Sequence, residues 1–389
     1  MKNCSGIIAL QKRFYWAPGQ QPDGDSHFKP TSSKNKKQSA LVDIVADNGA
    51  EWVKVSSATS KRILFDMAKN GWVDDGSSDD EYDDNRGLSD DDDDSEGLMK
   101  QAEAMVKASK AVRVRYRHPR LRILLPKVHL GVIKEVDNLI ERIRSLGISV
   151  ETFEQATTAP PIEDILSRLA VDPFTDFSRT LNVDCTVLLA FVSDLSHSHV
   201  DPKHWHHKAI LRQIEVEKEN QLLPNSLWPA CGSRKLVCTR EAAKRMYEIV
   251  NLIGTDTEKE RTAYLMDFDD ATTKTREDRV EGFRRLSEYD VPSDWNLPIK
   301  IVDVDVEKIK EDLPRFGQKA AEGLSEINQS VFLYGWYMKY TTVSSNRTVA
   351  KEIESSVEEN RTSVEDEGPH IWLCPTARSL VGKEKTRRQ

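Results

Sequence analysis

The sequence has few cysteines and no long apolar run. Its five cysteines are an odd number and include no C-x-x-C pair. This predicts reduced thiols in a cytoplasmic or nuclear protein, and it argues against a disulfide or zinc framework. No apolar stretch is long enough to cross a bilayer, so we expect no membrane-spanning segment. The apolar run at residues 6–10 is also too short for a secretory signal.

Acidic charge is abundant but concentrated in one segment. Residues 74–96 hold thirteen acids and one arginine, a local charge of −12, whereas the whole chain carries −8, so the remainder sums to +4. Self-repulsion and the lack of apolar groups predict a disordered acidic insertion over 74–97. Such a segment could contact protein partners, or it could dock on a basic strip of the same chain.

The rest of the chain divides by composition. Gly, Pro, Ser, Lys and Gln are frequent in the first 38 residues, and Pro160-Pro161 marks a later boundary. Strand-like and helix-like patterns alternate on both sides of that boundary, which favours an α/β fold class with a mainly parallel sheet in the second part. We expect a disordered tail over 1–38, an amino-terminal α/β domain over 39–158, and a second domain over 159–389 with a polar, irregular insertion around 267–298.

Several elements have specific signals. Asp47-Asn48-Gly49 lies between two apolar runs, which predicts a hairpin because Asn and Gly accept positive φ. Helical spacing predicts helices over 61–69, 98–109, 132–146, 206–223, 239–253 and 348–359. Short apolar runs predict strands over 148–150, 299–302, 330–334 and 371–374.

Basic residues alternate with apolar ones from residue 112 onward. A period of two predicts a strand with Arg113, Arg115 and Arg117 on one face, and Arg120 and Arg122 continue the strip. Basic side chains on one face can neutralise successive phosphates, so these five arginines are our candidate RNA-binding set. The strip could instead be a solvated strand edge protected by charge, or it could dock the acidic segment.

An aspartate interrupts the apolar run at residues 181–192. A lone carboxylate is costly to remove from water without a partner or a metal, so Asp184 is a candidate metal ligand or functional group. It could equally cap a helix that follows the strand. Glu241, in the first turn of a predicted helix, is the candidate partner, although the helix N-terminus alone favours an acid there. Two such carboxylates could hold Mg²⁺ or Mn²⁺, which prefer oxygen ligands and can activate water.

A histidine cluster is the other feature with metal-binding chemistry. Five of the nine histidines lie between residues 197 and 207. They have no neighbouring cysteine set and no H-E-x-x-H spacing, and Asp201-Pro202-Lys203 among them is typical of a solvent loop. We therefore do not expect a zinc site.

Short segments between residues 39 and 385 match a known family in type and order. They are the Asp43 hairpin with Trp52-Val53-Lys54, Asn182-Val183-Asp184, Val192-Ser193-Asp194-Leu195-Ser196, Leu222-Leu223-Pro224, Cys238-Thr239-Arg240-Glu241-Ala242-Ala243, Gly254 with Glu258-Lys259-Glu260-Arg261, and Ala377-Arg378-Ser379-Leu380. Together they resemble the uncharacterised eukaryotic family of domain of unknown function 1308, also catalogued as the UPF0415 type.

The carboxy-terminal half of that family is similar to PIN-like domains. The resemblance implies a three-layer α/β/α sandwich in which clustered acids hold Mg²⁺ or Mn²⁺ for RNA phosphodiester cleavage. Asp184 would be the first acid, at the end of the first strand, and Glu241 the second. The third acid is expected directly after a glycine that follows a later strand, where this chain has Trp336. The fourth position, often Asp or Asn, falls on Asn346.

With a tryptophan at the third position, three hypotheses about function remain. An indole removes a charge and a ligand, so we expect a PIN-like module that is non-catalytic or weakly catalytic and binds RNA or protein. The alternative is an Mg- or Mn-dependent ribonuclease that uses Asp184, Glu241 and Asn346. A purely structural interaction protein without nucleic acid is the third, because fold does not fix function.

Overall fold

The computed structural model describes residues 4–16, 38–69, 97–155, 161, 163–268 and 274–382. The chain divides into two compact units, Met1–Pro173 and Phe174–Gln389. The predicted boundary prolines precede this division, and Pro160 lies outside the described residues. Most of the predicted acidic insertion, residues 74–96, also lies outside them.

The amino-terminal unit is built on a five-stranded mixed sheet. Its order is β1-β2-β3-β4-β5, with antiparallel pairing up to β3 and parallel pairing from β3 to β5. The strands are β1 Ala9–Trp16, β2 Gln38–Ala46, β3 Glu51–Val55, β4 Arg120–Leu125 and β5 Ser149–Thr152. The helices are α1 Ser60–Lys69, α2 Leu98–Lys110, α3 Lys134–Ser145 and α4 Leu166–Leu169.

The predicted hairpin is confirmed. Strands β2 and β3 pair antiparallel around a short turn at Asp47–Gly49. Asn48 and Gly49 have φ of 52° and 101°, which is the left-handed region that these residues tolerate. Trp52 on β3 is buried in a cluster with Met105 of α2 and Ile140 of α3, so the helices pack on the sheet through one apolar core.

Two predictions for the amino-terminal unit are wrong. Part of the predicted disordered tail forms the edge strand β1, where Phe14 stacks on Trp52. The predicted arginine strand is a tight turn: Val114 and Arg117 exchange backbone hydrogen bonds, and Arg115 and Tyr116 have φ of 50° and 67°. Alternation over six residues did not decide the conformation, because the two central residues turn the chain back.

The carboxy-terminal unit contains a five-stranded sheet in which every pair is parallel. Its order is β10-β9-β6-β7-β8. The strands are β6 Thr180–Val183, β7 Lys235–Thr239, β8 Lys300–Val302, β9 Thr341–Ser344 and β10 Ile371–Leu373. An α/β class with a parallel sheet in the second part is therefore confirmed.

Helices connect these parallel strands. The helices up to β8 are α5 Cys185–Val192, α6 Asp194–His197, α7 Lys208–Glu219, α8 Trp228–Cys231, α9 Arg240–Ile253, α10 Asp256–Leu265 and α11 Arg276–Arg285. Those after β8 are α12 Val306–Asp312, α13 Arg315–Glu322, α14 Glu326–Asn328, α15 Tyr334–Tyr337 and α16 Arg347–Asn360. Two π-helical segments, Leu223–Leu227 and Gln329–Leu333, interrupt the regular pattern.

The strand predicted over 330–334 is wrong. These residues belong to the π-helical segment and the start of α15. A short buried apolar run fits a strand and a helix equally well, so its periodicity could not decide. Gly335 is needed here because a Cβ atom would overlap the Thr342 hydroxyl and lie 3.0 Å from Asn182 Nδ2.

The polar insertion predicted around 267–298 is not irregular throughout. It contains α11, which begins with a capping box between Thr275 and Asp278. Arg279 in this helix is buried and donates to both carboxylate oxygens of Asp267 at 2.7 Å. Residues 269–273 lie outside the described part.

The five cysteines are buried free thiols, and no disulfide joins them. In the part of the chain that the structure describes, no helix has both the length and the apolar character to cross a membrane.

Candidate functional site

The candidate site lies where the order of the parallel sheet reverses. From β6 the chain moves outward through β7 to β8, and it then returns to the other side of β6 to form β9. Ligands of open α/β sheets bind outside the carboxyl ends of the strands at such a point. Asp184 follows β6 and Ser344 ends β9, so both residues lie at this place in the fold.

The carboxylate of Asp184 is closed by two hydroxyl groups. Thr186 Oγ1 and Ser344 Oγ both donate to Asp184 Oδ2, at 2.6 and 2.7 Å. Each hydroxyl oxygen in turn accepts a backbone N–H, from Ser345 at 3.0 Å and from Asn346 at 2.9 Å. A continuous hydrogen-bond network therefore joins the end of β6, the start of α5 and the loop after β9.

Burial dominates the electrostatics of this acid. Asp184 is only 4% exposed. Loss of solvent raises the pKa of its carboxyl group, and the hydroxyls of Thr186 and Ser344 oppose that rise only in part. The neighbouring Cys185 thiol has its pKa raised to about 12, first by burial and then by the carboxylate of Asp184. The site therefore disfavours additional negative charge.

A second set of buried polar side chains includes Asn182 of β6 and Thr239 of β7. Asn182 Nδ2 donates to the Val331 carbonyl at 2.8 Å and to Thr342 Oγ1 at 3.1 Å. Thr239, at the end of β7, shares a hydrogen bond of 3.0 Å with Ser330. Ser330 and Val331 belong to a π-helical segment, so these hydrogen bonds connect that segment to strands β6 and β7.

The other predicted ligands have separate roles. Glu241 is exposed in the first turn of α9, where an acid is favoured by the helix N-terminus. Asn346 caps α16, since its side chain accepts from the backbone N–H of Val349 at 3.3 Å. Trp336 is half-buried in α15 and packs against Phe316, with 5.8 Å between the ring centroids.

These residues do not fit a Mg²⁺ or Mn²⁺ site. Among the residues that the structure describes, no three His, Cys, Asp or Glu side chains form a group that could hold a metal ion. Asp184 Oδ2 already accepts two hydroxyl hydrogen bonds. Mg²⁺ is usually held by one or two carboxylates together with several waters, and the carboxylate of Asp184, only 4% exposed, is enclosed by protein groups.

Sequence reasoning missed the actual partners of Asp184. Thr186 lies two residues after it, and Ser344 lies two residues before the predicted ligand Asn346. Of the three hydroxyl and amide residues at 344–346, only Asn346 was predicted to belong to the site. Pairing Ser344 with Asp184 requires the order β9-β6, which no local pattern contains.

The histidine cluster contains one deeply buried member and no metal-ligand group within the described residues. His197 Nε2 donates to the Phe191 carbonyl at 2.7 Å, and its Nδ1 accepts from Ser287 at 3.0 Å. Burial first, and then Arg261, lowers the pKa of His197 to about 3. This neutral imidazole joins α5 to the end of α11 and is a core residue.

The candidate RNA-binding arginines lie in two different local structures, strand β4 and the tight turn that precedes it. Arg122, in the middle of β4, forms ion pairs with Glu51 on β3 and Glu151 on β5, at 3.1 and 3.2 Å. Burial opposes its charge, but the two carboxylates outweigh that effect and raise its pKa above the ordinary value. Arg120 pairs with Asp47 at 2.6 Å.

The remaining three arginines lie at the tight turn. Arg113 donates to the Tyr116 carbonyl at 3.3 Å, whereas Arg115 and Arg117 are exposed. Two of the five candidates, Arg120 and Arg122, neutralise acids of their own sheet.

Comparison with known families is informative for part of the chain. Residues 181–286 match the model of a family described as protein of unknown function, DUF1308. The resemblance to that family is thereby confirmed, and the DUF1308 region includes both Asp184 and Glu241. The search of solved structures found no match to the chain.

Proposed function

We propose that the chain is a non-catalytic binding protein whose carboxy-terminal unit is PIN-like and whose partners are proteins. The PIN-like assignment is supported by the parallel sheet, by the acid directly after its first strand, and by the reversal of strand order beside that strand. Fold alone does not give the activity, so the proposal depends on the side chains at the site.

The observation that carries the proposal is that the carboxylate of Asp184 is buried and hydrogen-bonded within the protein. A nuclease acid must present its oxygens to a metal ion, together with other acids. Here one carboxylate oxygen accepts from Thr186 and Ser344, and the residue is almost fully buried. Asp184 therefore acts as an internal acceptor that holds three chain segments together.

The ion pairs of the arginines favour a protein partner over RNA. An arginine that binds phosphate must exchange its present partner, and Arg122 would leave two half-buried carboxylates unpaired. The acidic segment at 74–96 is a second possible contact for protein partners, although it lies outside the described residues.

A Mg- or Mn-dependent ribonuclease is the alternative. Its one supporting observation is the position of Asp184 at the point of strand reversal, where α/β enzymes place their ligands. Among the described residues no three His, Cys, Asp or Glu side chains form a metal-binding group there, and Trp336 stands where the family resemblance places the third acid.

Metal binding provides the test. A ligand that binds the folded state at 100 times its Kd adds about 2.7 kcal/mol of stability, which raises Tm by several degrees in a domain of this size. We expect the same Tm in millimolar Mn²⁺ and in EDTA. A rise in Mn²⁺ that Asp184→Asn abolishes would contradict the proposal.

A further inference from the structure

Residues 376–382 lie in a groove on the carboxy-terminal unit. This segment, which we call the strap, follows β10 and has no regular secondary structure. The groove is formed by α6 with the preceding Ser193, by α7, and by the first turn of α10. Its side chains contact the strap at three successive places, described below.

The first contact is a buried ion pair. Arg378 donates through Nε to Glu217 Oε2 of α7 at 2.7 Å, and its Nη2 donates to the same oxygen. The exposed fractions of the two side chains are 0% and 7%. The second oxygen of Glu217 accepts the Leu222 N–H at 3.0 Å, so the carboxylate is fixed in position. An arginine side chain is therefore recognised individually.

The second contact consists of hydrogen bonds to the backbone of the strap. The N–H of Ser379 donates to Gln213 Oε1 at 2.8 Å, and its carbonyl accepts from Ser193 Oγ at 2.7 Å. Two residues later, the N–H of Val381 donates to Glu258 Oε1 at 2.9 Å. In extended peptides, hydrogen bonds to the backbone give affinity and pockets for side chains give specificity; the strap has contacts of both kinds.

The third contact is apolar. Val381 packs with Leu195 of α6 and Ile214 of α7 in a small hydrophobic cluster. The strap does not fill the groove, because a cavity of about 280 Å³ remains beside it. Leu195, Ile214 and Glu217, three of the residues that hold the strap, also line this cavity.

We propose that this groove is a peptide-recognition site, occupied here in cis, that takes extended protein segments with an arginine followed three positions later by valine. The inference names the partner class and the surface for the binding function proposed above. Glu217 selects the arginine, Leu195 and Ile214 select the apolar residue, and Ser193, Gln213 and Glu258 hold any backbone between them.

Arg378 and Val381 of the strap are buried, but the strap is not held by the hydrogen bonds of a sheet. It pairs with no strand of the sheet. Its arginine also gives up hydration to enter the groove, so the buried ion pair adds more selectivity than net stability. Exchange with another peptide requires that this segment can leave while the groove itself stays formed.

The experiment uses the full chain with the strap weakened by Arg378→Ala and Val381→Ser. A labelled peptide, Thr-Ala-Arg-Ser-Leu-Val-Gly, is titrated and followed by fluorescence anisotropy. We expect it to bind this released variant at least about tenfold more tightly than wild type, whose groove is occupied. Adding Glu217→Gln should weaken binding by about tenfold or more, because a buried charged hydrogen bond is lost. Glu215→Gln, an exposed glutamate on the same helix, is the matched control and should leave binding unchanged.

Equal binding to wild type and released variant, insensitivity to Glu217→Gln, or no binding to a folded released variant would overturn the proposal. If the released variant does not fold, amide exchange in the wild type decides instead. The Ser379 and Val381 amides should exchange faster than those of β6 and β9, through local opening. Exchange at the same rate would make the strap part of the core. Mn²⁺-dependent RNA cleavage would refute the non-catalytic assignment without affecting these outcomes.

Discussion

Asp184 is the residue on which the interpretation of the carboxy-terminal unit depends. Its sequence context predicted either a metal ligand or a helix cap, and the structure gives it neighbours that neither hypothesis contained. It does sit at the N-cap position of α5, but its carboxylate is held by the hydroxyls of Thr186 and Ser344. Burial makes the charged form unfavourable there. The geometry at this position requires a hydrogen-bond acceptor for two hydroxyl groups.

Asparagine at position 184 should therefore be tolerated. Because burial raises the folded-state pKa, the folded chain keeps the Asp184 proton to a higher pH than the unfolded chain does. The stability from this proton is present below the unfolded pKa and is lost as pH rises through the folded pKa. Asp184→Asn keeps an oxygen for both hydroxyls without the charge. We expect it to be at least as stable as wild type at pH 7 and to flatten this part of the pH profile, measured by urea unfolding.

A leucine at the same position supplies the contrast. Asp184→Leu removes the acceptor and leaves the hydroxyls of Thr186 and Ser344 unpaired in the interior. We expect a loss of about 2 kcal/mol in the free energy of unfolding. Asp184→Asn losing as much as Asp184→Leu would show that the charge itself matters.

At the scale of elements, Arg122 holds β3, β4 and β5 together on one face of the amino-terminal sheet. Arg122→Met should lower the free energy of unfolding by roughly 2 kcal/mol, since two half-buried carboxylates lose their partner. Arg120→Ala on the same strand is the matched control. Its ion pair with Asp47 is largely exposed, so the change should stay within about 0.5 kcal/mol. Chemical denaturation measures both, and equal losses would refute this role of Arg122.

The close contact between α15 and β9 depends on Gly335. A methyl group there would overlap the Thr342 hydroxyl, which overpacks a region fixed by Asn182. Gly335→Ala should cost about 1–3 kcal/mol of folding stability. At Gly323, which follows α13, a Cβ atom meets nothing within 4 Å, so Gly323→Ala should be nearly neutral. Thermal unfolding of the two variants compares them directly, and similar Tm values would contradict the close approach.

Elements with a local cause could be predicted from the sequence, and elements with a distant cause could not. The hairpin at Asn48 and the helix capped by Thr239 each carry their signal within a few residues. The segment at 330–334 does not, because its apolar run fits a strand as well as a helix, and its hydrogen bonds to Asn182 and Thr239 come from distant strands. The partner of Asp184 was missed for the same reason, since Ser344 is brought to it by the strand order.

Across the whole molecule, acidic and basic charges are concentrated in different parts of the chain. The segment 74–96 carries −12 and the remainder +4, but Arg120 and Arg122 are used within their own sheet. For single-stranded RNA, each phosphate contact contributes about 0.7 to the slope of log K against log salt. We expect that slope to be the same for wild type and Arg120→Ala in anisotropy titrations. A smaller slope in the variant would show that Arg120 contacts RNA phosphates.

The most direct test of the central claim is cleavage of labelled single-stranded RNA by the full chain in Mn²⁺, compared between wild type and Asp184→Asn. A closed, structural Asp184 predicts no cleavage above the EDTA blank for either protein. Cleavage by wild type that disappears in a folded Asp184→Asn variant would show that this carboxylate works on a metal ion, and it would contradict the account.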